Sequence, residues 1–165
     1  AMAHYLDEKN IRLYTQMGIY TESEMQSHFE IKLEKYCQVL NIEVETMLEM
    51  INKDILPAVF KYMNAISDTV IKVKQAFPEA ECSAEKILLQ KLDSHVNNLS
   101  KKADEIWIKH NEANKLTNIM ECAKAYANEI LPAMEEARYF ADEMEPLLGE
   151  EYKPFPSYED LLFRI

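Results

Sequence analysis

The chain has 165 residues and only two glycines, so hairpin turns and phosphate-binding loops that need positive φ are disfavoured and a nearly all-helical domain is predicted. Acidic residues outnumber basic residues 29 to 18, and the formal net charge of -11 argues against nucleic acid as a partner. The sequence contains no membrane-length apolar run, no secretory leader pattern and no CxxC pair among its three cysteines. We therefore expect a cytoplasmic protein with reduced thiols and no membrane partner.

The first predicted elements are a short helix closed by Gly18 and then a very long helix. Thr21 is followed three residues later by Glu24, and this capping-box pattern predicts that the long helix begins at Thr21. Apolar residues then recur every three or four positions from Met25 to Phe77. This spacing predicts a single helix of roughly 80 Å if it is unbroken.

A second helical half is predicted to begin at Ser83, which is a good N-cap residue. Its apolar spacing loses register where Asn111, Asn114 and Asn118 occur, so we predict a break in the helix there. The last helix is expected to end at Gly149 as a C-terminal cap. Both a long antiparallel hairpin and a compact bundle satisfy these patterns, and we favour the bundle. The fold class is thus predicted to be all-α, a long-helix antiparallel bundle with proline-kinked helices and an extended C-terminal tail.

The chain is divided into a short N-terminal segment (residues 1–20), the helical bundle (21–149) and the tail (150–165). Residues 1–3 resemble a cloning remnant. Two prolines in the tail favour extended backbone over residues 150–158, and a final turn is expected over residues 159–163. The apolar side chains of the tail are expected to dock on the bundle or on another part of a larger protein. Trp107, which lies one position off the apolar stripe, is expected either at an interface or at the edge of the bundle, where its N–H can reach water. The predicted interface residues are Trp107, Phe155, Tyr158, Leu162 and Phe163.

The phrase Ile-Leu-Pro-Ala occurs twice after an acidic residue, around Pro57 and around Pro132. Each proline lies inside a continuing apolar stripe, where the loss of a helical hydrogen bond costs roughly 3 kcal/mol. We predict that the two prolines kink their helices so that they wrap around their neighbours. Similarity around the two phrases does not extend far enough to indicate an internal duplication.

No catalytic, cofactor-binding or metal site is predicted in this chain. Four acids on the long helix are interpreted as a solvated face, because helical di-metal bundles use a Glu-x-x-His pattern that is absent. His110 occupies an apolar-stripe position and is interpreted as a hydrogen-bonded structural histidine. Cys37 has no histidine or asparagine at a recognisable spacing, so a nucleophile is not indicated. The four acids are Glu34, Glu43, Glu45 and Glu49.

The order of several short motifs strongly resembles the region beyond the catalytic domain in type III glutamine synthetases. In the first half these motifs are MGIYTESE (17–24), LEKY (33–36), LNIE (40–43), TM (46–47) and ILPA (55–58). In the second half they are ILPAM (130–134), PFPSY (154–158) and LLF (161–163). The sequence departs from the family pattern at His28, at Ala137 and at Lys153, which stands where a tryptophan is usual, with Tyr152 beside it as a substitute anchor.

The resemblance implies that the parent protein ligates ammonia to glutamate with ATP and Mg or Mn, using residues of an upstream domain. This chain alone is then expected to have no enzymatic activity and no cofactor, and to serve a structural or assembly role. Its expected partners are the remainder of the parent enzyme and its oligomer. Two alternatives remain open: a freestanding helical interaction or signalling module, and a metal or redox bundle.

Overall fold

The structure is a computed structural model that describes residues 2–156 and 158–163, without the side chains of Ala3, Tyr158, Glu159 and Asp160. Within these residues every regular element is helical, which confirms the all-α prediction. The α-helices are α1 (Glu8–Gln16), α2 (Glu22–Met50), α3 (Leu56–Ala76), α4 (Ser83–Ala113), α5 (Ile119–Ala125), α6 (Leu131–Met144) and α7 (Tyr158–Phe163). Single 3-10 turns lie at Met2–His4, Glu145–Leu147 and Glu150–Tyr152.

The capping signals of the first half are confirmed. The backbone N–H of Thr21 donates to Glu24 Oε2 at 2.7 Å, and the N–H of Glu24 donates back to Thr21 Oγ1 at 3.2 Å. The capping box therefore satisfies two donors that the first turn of α2 would otherwise leave without partners. Gly18, at φ +63°, follows the end of α1 in the left-handed conformation that glycine adopts without steric cost.

Two other predicted caps are wrong. Helix α4 begins at Ser83 itself, and its N-cap is Cys82, which has left-handed backbone angles (φ 48°, ψ 44°) and no side-chain capping bond. Helix α6 ends at Met144, and Gly149 is extended (φ -64°, ψ 147°) rather than left-handed. A Cβ on Gly149 would make ordinary van der Waals contact with the ring of Tyr62 at 3.6 Å, so the packing against α3 does not require glycine here.

Each repeated proline follows a five-residue π-helical turn. The turn Ile51–Ile55 joins α2 to α3, and the turn Tyr126–Ile130 joins α5 to α6. The N–H of Leu56 donates to the carbonyl of Ile51, five residues back rather than four. The wider turn places each proline in the first turn of the helix that follows, where a missing N–H is tolerated. The predicted kinks at these prolines stay a prediction.

Helix α4 packs against both α3 and α6, and it also contacts α2 and α5. The break predicted between Asn111 and Asn118 is confirmed, since Asn114 caps the end of α4 and Asn118 caps the start of α5. The Asn118 side-chain oxygen accepts the N–H groups of Met120 and Glu121 at 2.9 and 3.3 Å. The chain therefore turns back after α4, and α6 packs along α4 instead of extending beyond it.

The core runs between these helices as one cluster of buried apolar side chains. Members with 0% or 1% exposure include Val44, Ile51, Val59, Leu92, Leu99, Ile106, Tyr126, Ile130, Ala137 and Met144. In the described part of the chain, no helix is both long enough and apolar enough to cross a membrane.

Candidate docking groove

A groove follows the seam between the long helix, α2 to α3, and α6. It consists of two adjoining cavities with volumes of about 560 and 470 Å³. Both cavities are lined by Met50 and Ile55 from the long helix and by Arg138, Ala141 and Asp142 from α6. Because the two cavities share these walls, they form one continuous surface rather than two separate sites.

The groove exists because α6 has α4, not the long helix, as its main packing partner. Helix α3 also packs on α4, and the two cavities lie in the space that the long helix and α6 leave between them. The first π turn borders this space through Ile51 and Ile55, and Leu131, which directly follows the second π turn, lines it from α6. The two Ile-Leu-Pro phrases thus contribute side chains to opposite walls of the same groove.

The floor of the groove is apolar and its rim is acidic. Side chains of isoleucine, leucine, methionine and alanine form most of the floor: Met47, Met50, Ile51, Ile55, Leu131, Met134 and Ala141. Ile42 lies at one edge and is 62% exposed. Methionine side chains adapt readily to different apolar surfaces, so this floor is suited to contact with a protein segment.

The rim carries the acids Glu43, Glu135, Asp142 and Glu145 and the cations Arg138 and Lys153, of which Lys153 is paired with Glu150. Asp142 is paired with Arg138, whose Nε lies 3.3 Å from the carboxylate Oδ2. Among the described residues, the other three acids form no ion pair within 4.0 Å. The rim therefore carries uncompensated negative charge beside an apolar floor.

The C-terminal tail closes one end of the groove. Phe155, one of the predicted interface residues, lines the second cavity and is 39% exposed. The tail is fixed just before this point, because the rings of Tyr152 and Tyr62 lie 5.0 Å apart; Tyr152 thus provides an anchor beside Lys153. The tail differs from the predicted extended geometry at the 3-10 turn Glu150–Tyr152, whereas helix α7 lies where a final turn is predicted.

The remaining predicted interface residues stay predictions. Leu162 and Phe163 are 72% and 77% exposed, and Trp107 on α4 is 55% exposed. These three side chains are available to a partner, and none of them lines the groove. The side chain of Tyr158 lies outside the described residues.

A buried polar network connects α4 to α2 and to the second π turn. His110 is 2% exposed; its Nε2 lies 3.2 Å from Asn114 Nδ2 and its Nδ1 lies 3.2 Å from the Tyr126 hydroxyl. The Tyr126 hydroxyl donates to Asn114 Oδ1 at 3.1 Å, and Asn114 Nδ2 also donates to Asn41 Oδ1 at 3.1 Å. The structural role predicted for His110 is therefore consistent with its partners.

The network determines the tautomer of His110. Asn114 Nδ2 is only a donor, so Nε2 of His110 must accept and the proton must lie on Nδ1, where it is donated to the oxygen of Tyr126. Burial lowers the pKa of His110, opposed by the carboxylate of Glu45 at 3.9 Å, so the neutral imidazole is favoured. Burial also raises the pKa of Tyr126 to about 12, so the phenol retains the proton that it donates.

The cysteines and the acidic face show no arrangement typical of a reactive centre. Cys37 and Cys122 are buried thiols, whereas Cys82 is partly exposed. Burial, and then the neighbouring Cys122, raises the pKa of Cys37 to about 12, which disfavours the nucleophilic thiolate. No group of three or more histidine, cysteine, aspartate or glutamate side chains is placed to hold a metal ion within the described part of the chain.

Comparison with known proteins gives consistent matches. The model of the family "Glutamine synthetase C-terminal domain" matches residues 1–74, just under half of the chain. A glutamine synthetase from Butyrivibrio fibrisolvens is 32% identical over 164 residues, and one from Bacteroides fragilis is 28% identical over 167 residues; each alignment covers 99% of this chain and 23% of the relative. A type-3 glutamine synthetase from Dictyostelium discoideum is 30% identical over 70 residues, covering 42% of this chain and 10% of the relative.

The chain thus spans about a quarter of the length of the two relatives that it matches from end to end. The family match covers the N-terminal residues, α1, α2, the first π turn and most of α3, and the two longer alignments extend the relationship over the helices beyond. These matches make the chain similar to the glutamine synthetase C-terminal domain over residues 1–74 and to glutamine synthetases over 99% of its length.

Proposed function

We propose that this chain is the C-terminal helical domain of a type III glutamine synthetase and that its role is structural, in assembly of the enzyme, rather than catalytic. The type is supported by the motif order of the sequence and by the relative from Dictyostelium discoideum, which is named a type-3 enzyme. The parent enzyme ligates ammonia to glutamate with ATP and Mg or Mn in the cytoplasm, through residues outside this chain.

The observation that carries the assembly role is the groove between the long helix and α6. Its apolar floor extends along two cavities of about 560 and 470 Å³, and exposed apolar side chains of α7 add a second contact surface. Apolar surface of this kind on a domain that spans 23% of its relatives is best explained by contact with the remainder of the parent enzyme and its oligomer.

Two measurements test this proposal. The purified chain is expected to show no γ-glutamyl transfer above a buffer blank, whereas the full-length parent is active. The parent lacking this domain is expected to assemble into smaller particles than the full-length enzyme, as measured by light scattering. Transfer activity in the chain alone, or an unchanged particle size after its removal, would contradict the proposal. So would a reading frame that encodes no catalytic region before this domain.

A further inference from the structure

The groove has the length of a protein segment. Along the long helix its lining extends from Ile42 to Val59, a separation of 17 residues and thus about 25 Å at 1.5 Å per residue. This length accommodates a helix of four to five turns or an extended strand of about seven residues. A small metabolite would fill only part of it, so the expected occupant is polypeptide.

The chemistry of the occupant follows from the floor and the rim. Because the floor is apolar, the occupant must present apolar side chains towards α6 and the long helix. Because Glu43, Glu135 and Glu145 on the rim form no ion pair among the described residues, lysine or arginine side chains at the edges of the occupant would compensate their charge.

A second copy of this chain fits these requirements poorly. Each copy carries a formal net charge of -11, so two acidic surfaces would repel each other at the rim. The tail of the chain has exposed apolar side chains at Leu161, Leu162 and Phe163, but Glu159 and Asp160 directly precede them. The tail would thus bring more negative charge to an acidic rim.

The remainder of the parent polypeptide is a better source. About three quarters of the length of the end-to-end relatives lies outside the region that this chain covers. A segment of the same polypeptide is present at a high effective concentration, so even a short apolar segment would occupy the groove without a large interface.

We propose that the groove between the long helix and α6 is the docking site for an apolar segment with lysine or arginine residues at its edges, contributed in cis by the part of the parent polypeptide outside this chain. The inference rests on the proposed function, since it requires a parent enzyme. It specifies which face of the domain is covered in the parent enzyme and the chemistry of the segment that covers it.

Site-specific photo-crosslinking in the full-length parent enzyme tests this inference. p-Benzoylphenylalanine replaces Ile42 at the edge of the groove, and in a matched control it replaces Ile71, which is 55% exposed on α3 and does not line the groove. We expect the probe at position 42 to give a cross-linked product of single-subunit mass. Mass spectrometry should place the link in a lysine- or arginine-flanked apolar peptide outside this domain. The probe at position 71 should not give that link.

Charge reversal provides the second arm of the test. The substitutions Glu43→Lys and Glu135→Lys are expected to lower the yield of the position-42 cross-link about fivefold, because two rim ion pairs become repulsions. The control pair Glu34→Lys and Glu112→Lys makes the same change in net charge at exposed positions outside the groove and should leave the yield unchanged.

Each other outcome overturns the inference. A product of two-subunit mass would identify a second copy as the occupant, and a link to residues 150–165 would identify the tail. Absence of any position-42 adduct in the assembled enzyme would show that the groove faces solvent. In all three cases an active, normally assembled parent would leave the proposed function intact, which separates failure of this inference from failure of that function.

Discussion

Replacement of Tyr126 by phenylalanine removes a single oxygen from the middle of the buried polar network. The hydroxyl accepts from His110 Nδ1 at 3.2 Å and donates to Asn114 Oδ1 at 3.1 Å. In the variant, the Nδ1–H of His110 has no acceptor. The ring cannot avoid this by shifting its proton to Nε2, because that nitrogen faces the donor Asn114 Nδ2 at 3.2 Å.

The expected loss of stability follows from this accounting. A buried donor left without a partner costs about 1–3 kcal/mol, and phenylalanine retains the ring volume so that no apolar contact is lost. We therefore expect the free energy of unfolding to fall by about 2 kcal/mol. For a domain of this size that corresponds to a decrease in Tm of about 4–8 °C.

Urea denaturation of the purified chain, followed by circular dichroism at 222 nm, measures this effect. The matched control is Tyr139→Phe, because Tyr139 is 57% exposed on α6 and its substitution should change stability by less than about 0.5 kcal/mol. If Tyr126→Phe is no more destabilising than Tyr139→Phe at equal denaturant slope, then the hydroxyl does not hold the network and the assignment of the His110 tautomer is wrong.

Three further predictions concern protonation, backbone conformation and thiol reactivity. Burial lowers the pKa of His110 below its ordinary value of 6.5, so the unfolded chain binds a proton at a higher pH than the folded chain does. The stability that neutral His110 contributes is therefore complete above about pH 6.5 and is lost as the pH drops below it. Urea denaturation at several pH values should show that His110→Gln lacks this pH dependence. Gly18→Ala should destabilise by about 1 kcal/mol because φ is +63°, whereas Gly149→Ala, at φ -64° with only van der Waals neighbours, should stabilise by about 0.4–1 kcal/mol; equal signs in thermal melts would contradict this. Iodoacetamide at pH 8 should label partly exposed Cys82 well before buried Cys37, whose pKa is raised to about 12, and peptide mass spectrometry showing equal rates would refute it.

Local signals in the sequence were sufficient for several elements. Thr21 and Glu24 predicted the start of the long helix, and the structure has both reciprocal hydrogen bonds of the capping box. The asparagines at 114 and 118 predicted the break, and they cap the two helix ends. These predictions succeeded because the interactions involve residues at most four positions apart, so their chemistry is contained in a short stretch of chain.

Caps that depend on more distant neighbours were predicted wrongly. Gly149 has the residue type of a C-terminal cap, but α6 already ends at Met144 and Gly149 is extended beside the rings of Tyr62 and Tyr152. Ser83 has the residue type of an N-cap, yet Cys82 takes that position with left-handed backbone angles. Residue preferences at helix ends are weak compared with the packing of the segments that the ends must connect.

The sequence by itself determined the helical class, the repeat of the two prolines and the resemblance to glutamine synthetases, because periodicity and motif order are properties of the chain. Only the tertiary structure showed that a π turn precedes each proline and that both phrases border one groove. It also joined His110 to Tyr126, 16 residues away, and Asn41 to Asn114, 73 residues away. These contacts form only when α2 and the second π turn pack against α4, so no local sequence pattern predicts them.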